Sequence, residues 1–121
     1  MLNAPIYLAS PFSHPDPIVR EQRFEAACRA AAELTRQGRP TFSPIAHGYN
    51  LCRYGLPLDW QFWQQHDLAF LSLCSEVIVL KLDGWAQSIG VQAEIAAAKA
   101  LGKPVSFLDP AAVAEERSGA T

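Results

Sequence analysis

Nothing in the chain pairs its cysteines. Cys28, Cys52 and Cys74 are odd in number, lie far apart and form no C-x-x-C unit, so neither a disulfide framework nor a zinc site is expected, and a reducing compartment fits. Charge is sparse as well. Asp, Glu, Lys and Arg make up 18% of the residues and balance to a net charge of -2. No Lys/Arg cluster is present of the kind that neutralises many phosphates at once, so no nucleic-acid polymer is expected as a partner. No apolar run approaches the roughly 18 to 20 residues that span a bilayer, and Met1 to Ile6 carry neither a basic region nor a cleavage site. The expectation is a cytoplasmic protein with no membrane partner. G-x-G-x-x-G and Walker signatures are missing too, which removes the dinucleotide and P-loop readings.

What is present suits a single hydrophobic core. Half of the 121 residues are hydrophobic, and a chain of this size buries roughly two-thirds of the surface it exposes when unfolded. One domain is expected over 1–108, followed by an Ala-, Glu- and Ser-rich tail over 109–121 that is expected to be partly disordered. Pro5 to Ser10 is a short apolar run closed by Pro11, the pattern of a buried strand. From Asp16 to Gln37, Phe24, Ala27, Cys28, Ala31 and Leu34 recur at helical steps, with Asp16 as N-cap, Pro17 at the first helical position and Gly38 as terminator. Pro40 to Pro44 reads as a second strand, and Ile45 to Pro57, full of Gly, Asn and Pro, as a long loop. Leu58 to Leu73 reads as a helix. Glu76 to Leu82 is continuously apolar in its middle and reads as a central strand buried on both faces. Ser88 caps a further helix to about Leu101, with Val91, Ile95, Ala98 and Leu101 inward, and Lys103 to Leu108 is a final strand.

Strands alternating with helices predict an α/β fold with a doubly wound, flavodoxin-like or Rossmann-like parallel sheet of four to five strands and helices on both faces. Ligands of such sheets bind beyond the carboxyl ends of the strands, where the strand order reverses. That rule selects Ala9 to His14, Ser43 to Asn50 and Leu82 to Gly90. The first loop offers Ser10, Pro11 and Phe12, the second His47, and the third Asp83, Gly84 and Trp85. Loop serines and prolines are common punctuation, so it is their convergence that carries weight. A Ser/Thr-rich flavin-phosphate loop or an acidic receiver pair after the first strand is excluded by Ala9 to Phe12.

Ser88 and Gly90 stand at a helix N-terminus, where a hydroxyl and free N–H groups suit a phosphate or carboxylate, although an ordinary Ser cap would look the same. Glu94 lies one and a half turns further on, among Val91, Ala93, Ile95 and Ala96. Gln92 and Lys99 already supply the polar face, so this carboxylate is not needed for solubility, unless it simply faces solvent. His47 could meet a sugar hydroxyl or phosphate, and Trp85 could flank a planar ligand. Trp60, Trp63 and Phe70 fit a core better. His14 and His66 share no metal-ligand spacing, and no metal site is expected.

Ile6-Tyr-Leu-Ala-Ser-Pro-Phe12 resembles the opening strand and loop of nucleoside 2-deoxyribosyltransferases and their hydrolase relatives. Cys74-Ser-Glu-Val-Ile-Val-Leu80, the Asp83-to-Glu94 stretch with Ser88-x-Gly90-x-x-x-Glu94, and Gly102-Lys-Pro-Val105 are similar to that family's carboxyl half. The resemblance implies that Glu94 is the catalytic carboxylate acting at C1′, that Tyr7 orients it, and that Asp67 is the base-side aspartate. A serine six residues before the glutamate helps bind the 5′-phosphate in the family's nucleotide N-glycosidases, and Ser88 stands there. The expected function is cleavage of the N-glycosidic bond of a nucleoside or its 5′-monophosphate, with no cofactor. A deoxyribosyltransferase exchanging bases, or a nucleotide-binding module without chemistry, are the alternatives. A small-molecule substrate and a homodimer or higher homo-oligomer are implied.

Overall fold

The computed structural model describes residues 4–113, and residues 1–3 and 114–121 lie outside the described residues. Four strands, β1 (Ile6–Ala9), β2 (Thr41–Phe42), β3 (Glu76–Leu80) and β4 (Val105–Leu108), form one sheet among the described residues, in the order β2-β1-β3-β4. All neighbours are parallel, with Tyr7 opposite both Phe42 and Val77, and Ile78 opposite Ser106. The helices are α1 (Pro17–Arg36), α2 (Pro44–Cys52), α3 (Trp60–Leu73) and α4 (Ile89–Ala100). The expected doubly wound α/β sheet is therefore present, at the four-stranded end of the expected range.

The pleat sorts the strand side chains onto two faces. Tyr7, Ala9, Val77 and Val79 pack with Leu71 of α3 and with Val91, Ile95 and Ala98 of α4. Ile6, Leu8, Ile78 and Leu80 pack on the other face with Ala30 and Leu34 of α1. Tyr7, Leu8, Val77, Val79 and Leu80 are completely enclosed, and each such aliphatic side chain is worth roughly 1.5–3 kcal/mol of transfer free energy. Because α1 leaves on one face and α3 and α4 cover the other, the connections from β1 and β3 diverge. A crevice opens between their carboxyl ends.

Most helix ends lie where their caps place them. The Asp16 carboxylate accepts from the Ile18 N–H at 2.9 Å, and α1 ends in Gly38 at φ +80°. Asp59 caps α3 through the Phe62 N–H, and Ser88 caps α4 through the Val91 N–H. The segment expected to be a long loop from Ile45 to Pro57 is different: its first part is the helix α2. Ser43 ends the short β2 by turning its hydroxyl to the Ala46 N–H at 3.0 Å, and Pro44 fits the first helical position. Gly48 sits inside this helix, not at a turn. A Cβ there would stand 3.4 Å from the Trp63 ring, an ordinary contact distance, so this position packs directly on α3.

Smaller differences have similar causes. The fully buried line of α1 is Ala27, Ala30 and Leu34, with Phe24, Cys28 and Ala31 on its flanks. Leu101, expected inward, is 55% exposed because α4 has already ended at Ala100. At the other end of the chain, Asp109 caps a short 3-10 turn, Pro110–Ala112, which delivers Val113 into the α1 face of the core. The remainder of the expected disordered tail, 114–121, lies outside the described residues. Among the described residues, no helix is long and apolar enough to cross a membrane.

Candidate functional site

The crevice holds a pocket enclosing about 570 Å³ of empty space, open solvent at its mouth included. It is lined by the loop after β1, with Ser10 and Phe12, and by the start of α4, with Ser88, Gly90 and Glu94. The opposite side is Ile45, Gly48, Tyr49 and Cys52 of α2, and Trp60, Trp63 and Asp67 of α3 close the third side. The walls are thus mostly aromatic and aliphatic, with a few polar groups among them, the usual make-up of a small-molecule site.

Glu94 is the most unusual of those polar groups. It is 4% exposed, and one carboxylate oxygen accepts from the Tyr7 hydroxyl at 2.5 Å. Tyr7 is fully buried on β1, so strand and helix fix each other's polar atom inside an apolar layer. Burial, which disfavours the charged form, pushes the Glu94 carboxyl up to about 8; the Tyr7 hydrogen bond opposes that rise and the nearby Asp67 adds to it. The same burial, with Glu94 opposite, drives the Tyr7 phenol well above its ordinary value.

Asp67 is a second buried carboxylate, 6% exposed, on the pocket side of α3. Burial raises it, while the adjacent His66, which lies 3.1 Å from its Oδ1, and His47 pull it down. Ser10 supplies a third polar atom. It is 5% exposed, and its hydroxyl has no hydrogen-bond partner among the described residues. A native fold pairs nearly all such atoms, so this hydroxyl beside the pocket is an exception within the core.

The loops at the mouth are tied down from α1. Arg23 donates to the Ser13 carbonyl and to the Asp83 carbonyl, both at 2.9 Å, bridging the ends of β1 and β3. Gly84, next in line, has φ +89°, and a Cβ there would meet the Arg23 guanidinium at 2.8 Å. Across the pocket, the Trp63 indole N–H donates to the Pro57 carbonyl at 2.7 Å and holds the α2–α3 connection against α3.

Of the residues singled out in the sequence, Ser10, Phe12, Asp67, Ser88, Gly90 and Glu94 line the pocket, with Tyr7 directly behind Glu94. Pro11 is buried beside them without lining it. Four others lie off the lining. Asp83 and Gly84 are occupied with Arg23, Trp85 turns its ring onto Phe107 of β4 at 5.3 Å, and His47 is exposed with its ring against Phe42 and His66. Gly90 also has a structural reason of its own, since a Cβ there would stand 3.2 Å from the Trp60 ring. The residues missed are the α2 wall and the two tryptophans of α3. Ile45, Gly48, Tyr49 and Cys52 follow the i, i+3, i+4, i+7 period, a signal that was available. Among the described residues no group of three or more His, Cys, Asp and Glu side chains is placed to hold a metal ion.

Residues 4–109 match the profile of the domain of unknown function DUF1937. The chain belongs to the DUF1937 family. Its fold is similar to a solved 2-deoxyribosyltransferase from the psychrotolerant bacterium Bacillus psychrosaccharolyticus, with 27% sequence identity and a TM-score of 0.61 over 88% of this chain and 73% of that one. A search of curated proteins returns no match. The resemblance to nucleoside 2-deoxyribosyltransferases seen in Tyr7 to Phe12 and in Ser88 to Glu94 thus extends to the whole fold of this DUF1937 protein.

Two outcomes follow from the buried polar groups. Glu94 ionises near 4.5 when unfolded and near 8 when folded, so between those values the folded state holds a proton that the unfolded state has lost. Stability should therefore fall as pH rises from about 5 to 8 and level off above. Glu94→Gln should remove much of that slope and unfold at higher temperature than wild type at pH 8.5, by an amount worth up to a few kcal/mol. Equal slopes in thermal unfolding of the two proteins would show Glu94 to be charged throughout. Ser10→Ala should leave the urea midpoint unchanged or raise it, because an unpaired buried hydroxyl costs about 1–3 kcal/mol. A clear loss of stability would mean that the fold itself uses the hydroxyl.

Proposed function

We propose that this protein breaks the N-glycosidic bond of a nucleoside or nucleoside 5′-monophosphate. The observation that carries the reading is the buried Glu94 held by Tyr7 in a pocket that also holds a second buried carboxylate, Asp67. Glycosidic cleavage passes through an oxocarbenium-like state, which needs a carboxylate at C1′ and a proton donor at the leaving group. Glu94 takes the first role, with Tyr7 orienting it, and Asp67 the second. Burial raises both carboxyls from their ordinary values, and two buried carboxyls lining one pocket can hold a proton between them. The structural neighbour, a 2-deoxyribosyltransferase described as a biocatalyst for nucleoside synthesis, supports an enzyme of this general chemistry.

Hydrolysis of a nucleotide is the finer form of the proposal, and Ser88 is its support. Its hydroxyl lies in the pocket wall at the first turn of α4, where N–H groups without helical partners and the helix dipole favour an anion. Ser10, Phe12 and Gly90 would make up the rest of the substrate wall. In this reading Asp83, Gly84, Trp85 and His47 shape the rim and not the substrate contact. Base exchange is the second reading, favoured by the neighbour being a transferase. A module that only binds nucleotides gains nothing from a desolvated carboxylate beside an anion. A homodimer or higher oligomer is also part of the proposal, and the exposed Tyr54, Leu56, Leu58 and Phe62 around the mouth would give it apolar surface to bury.

The deciding experiment is incubation of the purified protein with a panel of nucleosides and 5′-monophosphates, following released base by chromatography. Wild type should release base, whereas Glu94→Gln and Glu94→Ala should not. Full turnover by either variant would remove Glu94 from the chemistry. Adding a second free base distinguishes transfer from hydrolysis by the appearance of a new nucleoside.

Ser88→Ala should weaken binding of a 5′-monophosphate roughly ten- to hundred-fold, the worth of a hydrogen bond to a charged group, and leave the nucleoside almost unaffected. Calorimetric titration of both ligands checks this. Equal losses would make Ser88 a helix cap and nothing more.

A further inference from the structure

Asp67 has a partner that the chemistry above leaves unused. His66, the residue before it on α3, brings Nδ1 to 3.1 Å from Oδ1 of Asp67. Its ring is gripped on several sides: stacked on His47 at 5.4 Å and 6°, edge to face with Trp63 at 5.1 Å, and against Phe70 at 5.0 Å. The imidazole is therefore fixed by its neighbours and half-buried, while Asp67 lines the pocket. An ionised carboxylate has only lone pairs to offer, so Nδ1 carries the hydrogen whenever Asp67 is charged. That bond occupies Oδ1 and leaves the other oxygen for the pocket.

We propose that His66 is a positioning residue for Asp67: it holds the carboxyl through Oδ1 and stabilises the carboxylate that forms when Asp67 gives its proton to the departing base. The proposal rests on the glycosidic reading above. As the C1′–N bond breaks, its electron pair goes to the base, Glu94 engages C1′, and the Asp67 O–H proton moves to the base nitrogen. The new Asp67 carboxylate then accepts from His66. When water attacks C1′ and displaces Glu94, its proton returns to Asp67, and the site is restored. The groups facing Asp67 are Glu94 from α4, Tyr7 from β1, His66 of its own helix and His47 from α2. Only the two imidazoles favour its charged form, and only His66 touches it. An orienting group behind an acid or a base is a recurring arrangement in catalysis, because it fixes geometry and relieves the charge left by proton transfer.

Two variants separate this role from packing. His66→Phe keeps a ring between His47 and Trp63 but has no donor, and His66→Asn keeps an N–H near the position of Nδ1. The Asp67 carboxyl, followed by carbon-13 NMR, should titrate at higher pH in His66→Phe than in wild type and return toward the wild-type value in His66→Asn. On a deoxynucleoside or its monophosphate, His66→Phe should lose roughly ten- to hundred-fold in kcat with KM little changed. On a 4-nitrophenyl deoxyriboside, whose leaving group departs without a proton, the loss should be under about threefold. His66→Asn should recover most of the difference. An unmoved Asp67 titration in His66→Phe, or equal losses on the two substrate types, would overturn the proposal. Absence of base release by wild type would overturn the glycosidic reading, and the titration, which needs no substrate, would still report whether His66 holds Asp67.

Discussion

The hydrogen bond between Tyr7 and Glu94 is the contact around which the rest of the pocket is organised. A carboxylate moved into an apolar layer loses its hydration, and one neutral donor does not replace it. The fold accepts that cost at a particular place, between α4 and the Tyr7 of β1, which belongs to the buried cluster with Ala9, Val77, Val79, Val91 and Ile95. Burial at this place, with Asp67 nearby, raises Glu94 to about 8. Any change that let water reach Glu94 would lower that value, so the sealing of this seam and the acidity of the carboxyl are a single property.

Sealing has requirements further out. α4 must begin close to the end of β3 for Glu94 to face Tyr7, and the Ser88 cap with the short turn Trp85–Gln87 sets that start. Arg23 fixes the loops on either side through the Ser13 and Asp83 carbonyls. Trp63 seals the far wall, receiving Gly48 of α2 against its face and holding Pro57 through its indole N–H. These contacts are made largely by backbone carbonyls and close approaches of glycine. Residues that resemble ligand contacts in the sequence, Asp83 through its carbonyl and Gly84 through its backbone conformation, serve this scaffold.

That division explains what was legible in advance. The strands and α1, α3 and α4 were visible because burial writes a period into the sequence and caps mark its limits: Asp16, Ser88 and Gly38 behave as their types demand. Glu94 stood out because a carboxylate among Val91, Ala93 and Ile95 has no reason of solubility. α2 was hidden by Gly48 and Asn50, which read as loop residues. In fact Gly48 answers to Trp63, a partner distant in the chain, and the Asn50 amide bonds back to the Ala46 carbonyl inside the helix at 2.7 Å. Trp85 misled in the opposite sense. Its place after β3 points to the crevice, but the turn it occupies rotates the ring to Phe107. Direction of a side chain from a turn depends on tertiary partners that no local pattern encodes.

The two carboxyls differ in the kind of partner each has, and that difference bears on which does what. Tyr7 is neutral, fully enclosed and itself driven above its ordinary range, so it donates a hydrogen bond to Glu94 without changing charge. It can aim Glu94 but cannot neutralise it. His66 is half-buried beside the exposed His47, and its ring offers an N–H to the Asp67 carboxylate. A group aimed by a neutral partner in a dry seam suits attack on a carbon that is becoming positive, because its charge meets the substrate unscreened. A group backed by a ring N–H donor suits giving and regaining a proton, because the charge it acquires each time meets a hydrogen bond. In the proposed reaction these partners suit Glu94 to C1′ and Asp67 to the base, and exchanging the roles would give each carboxyl the other's support.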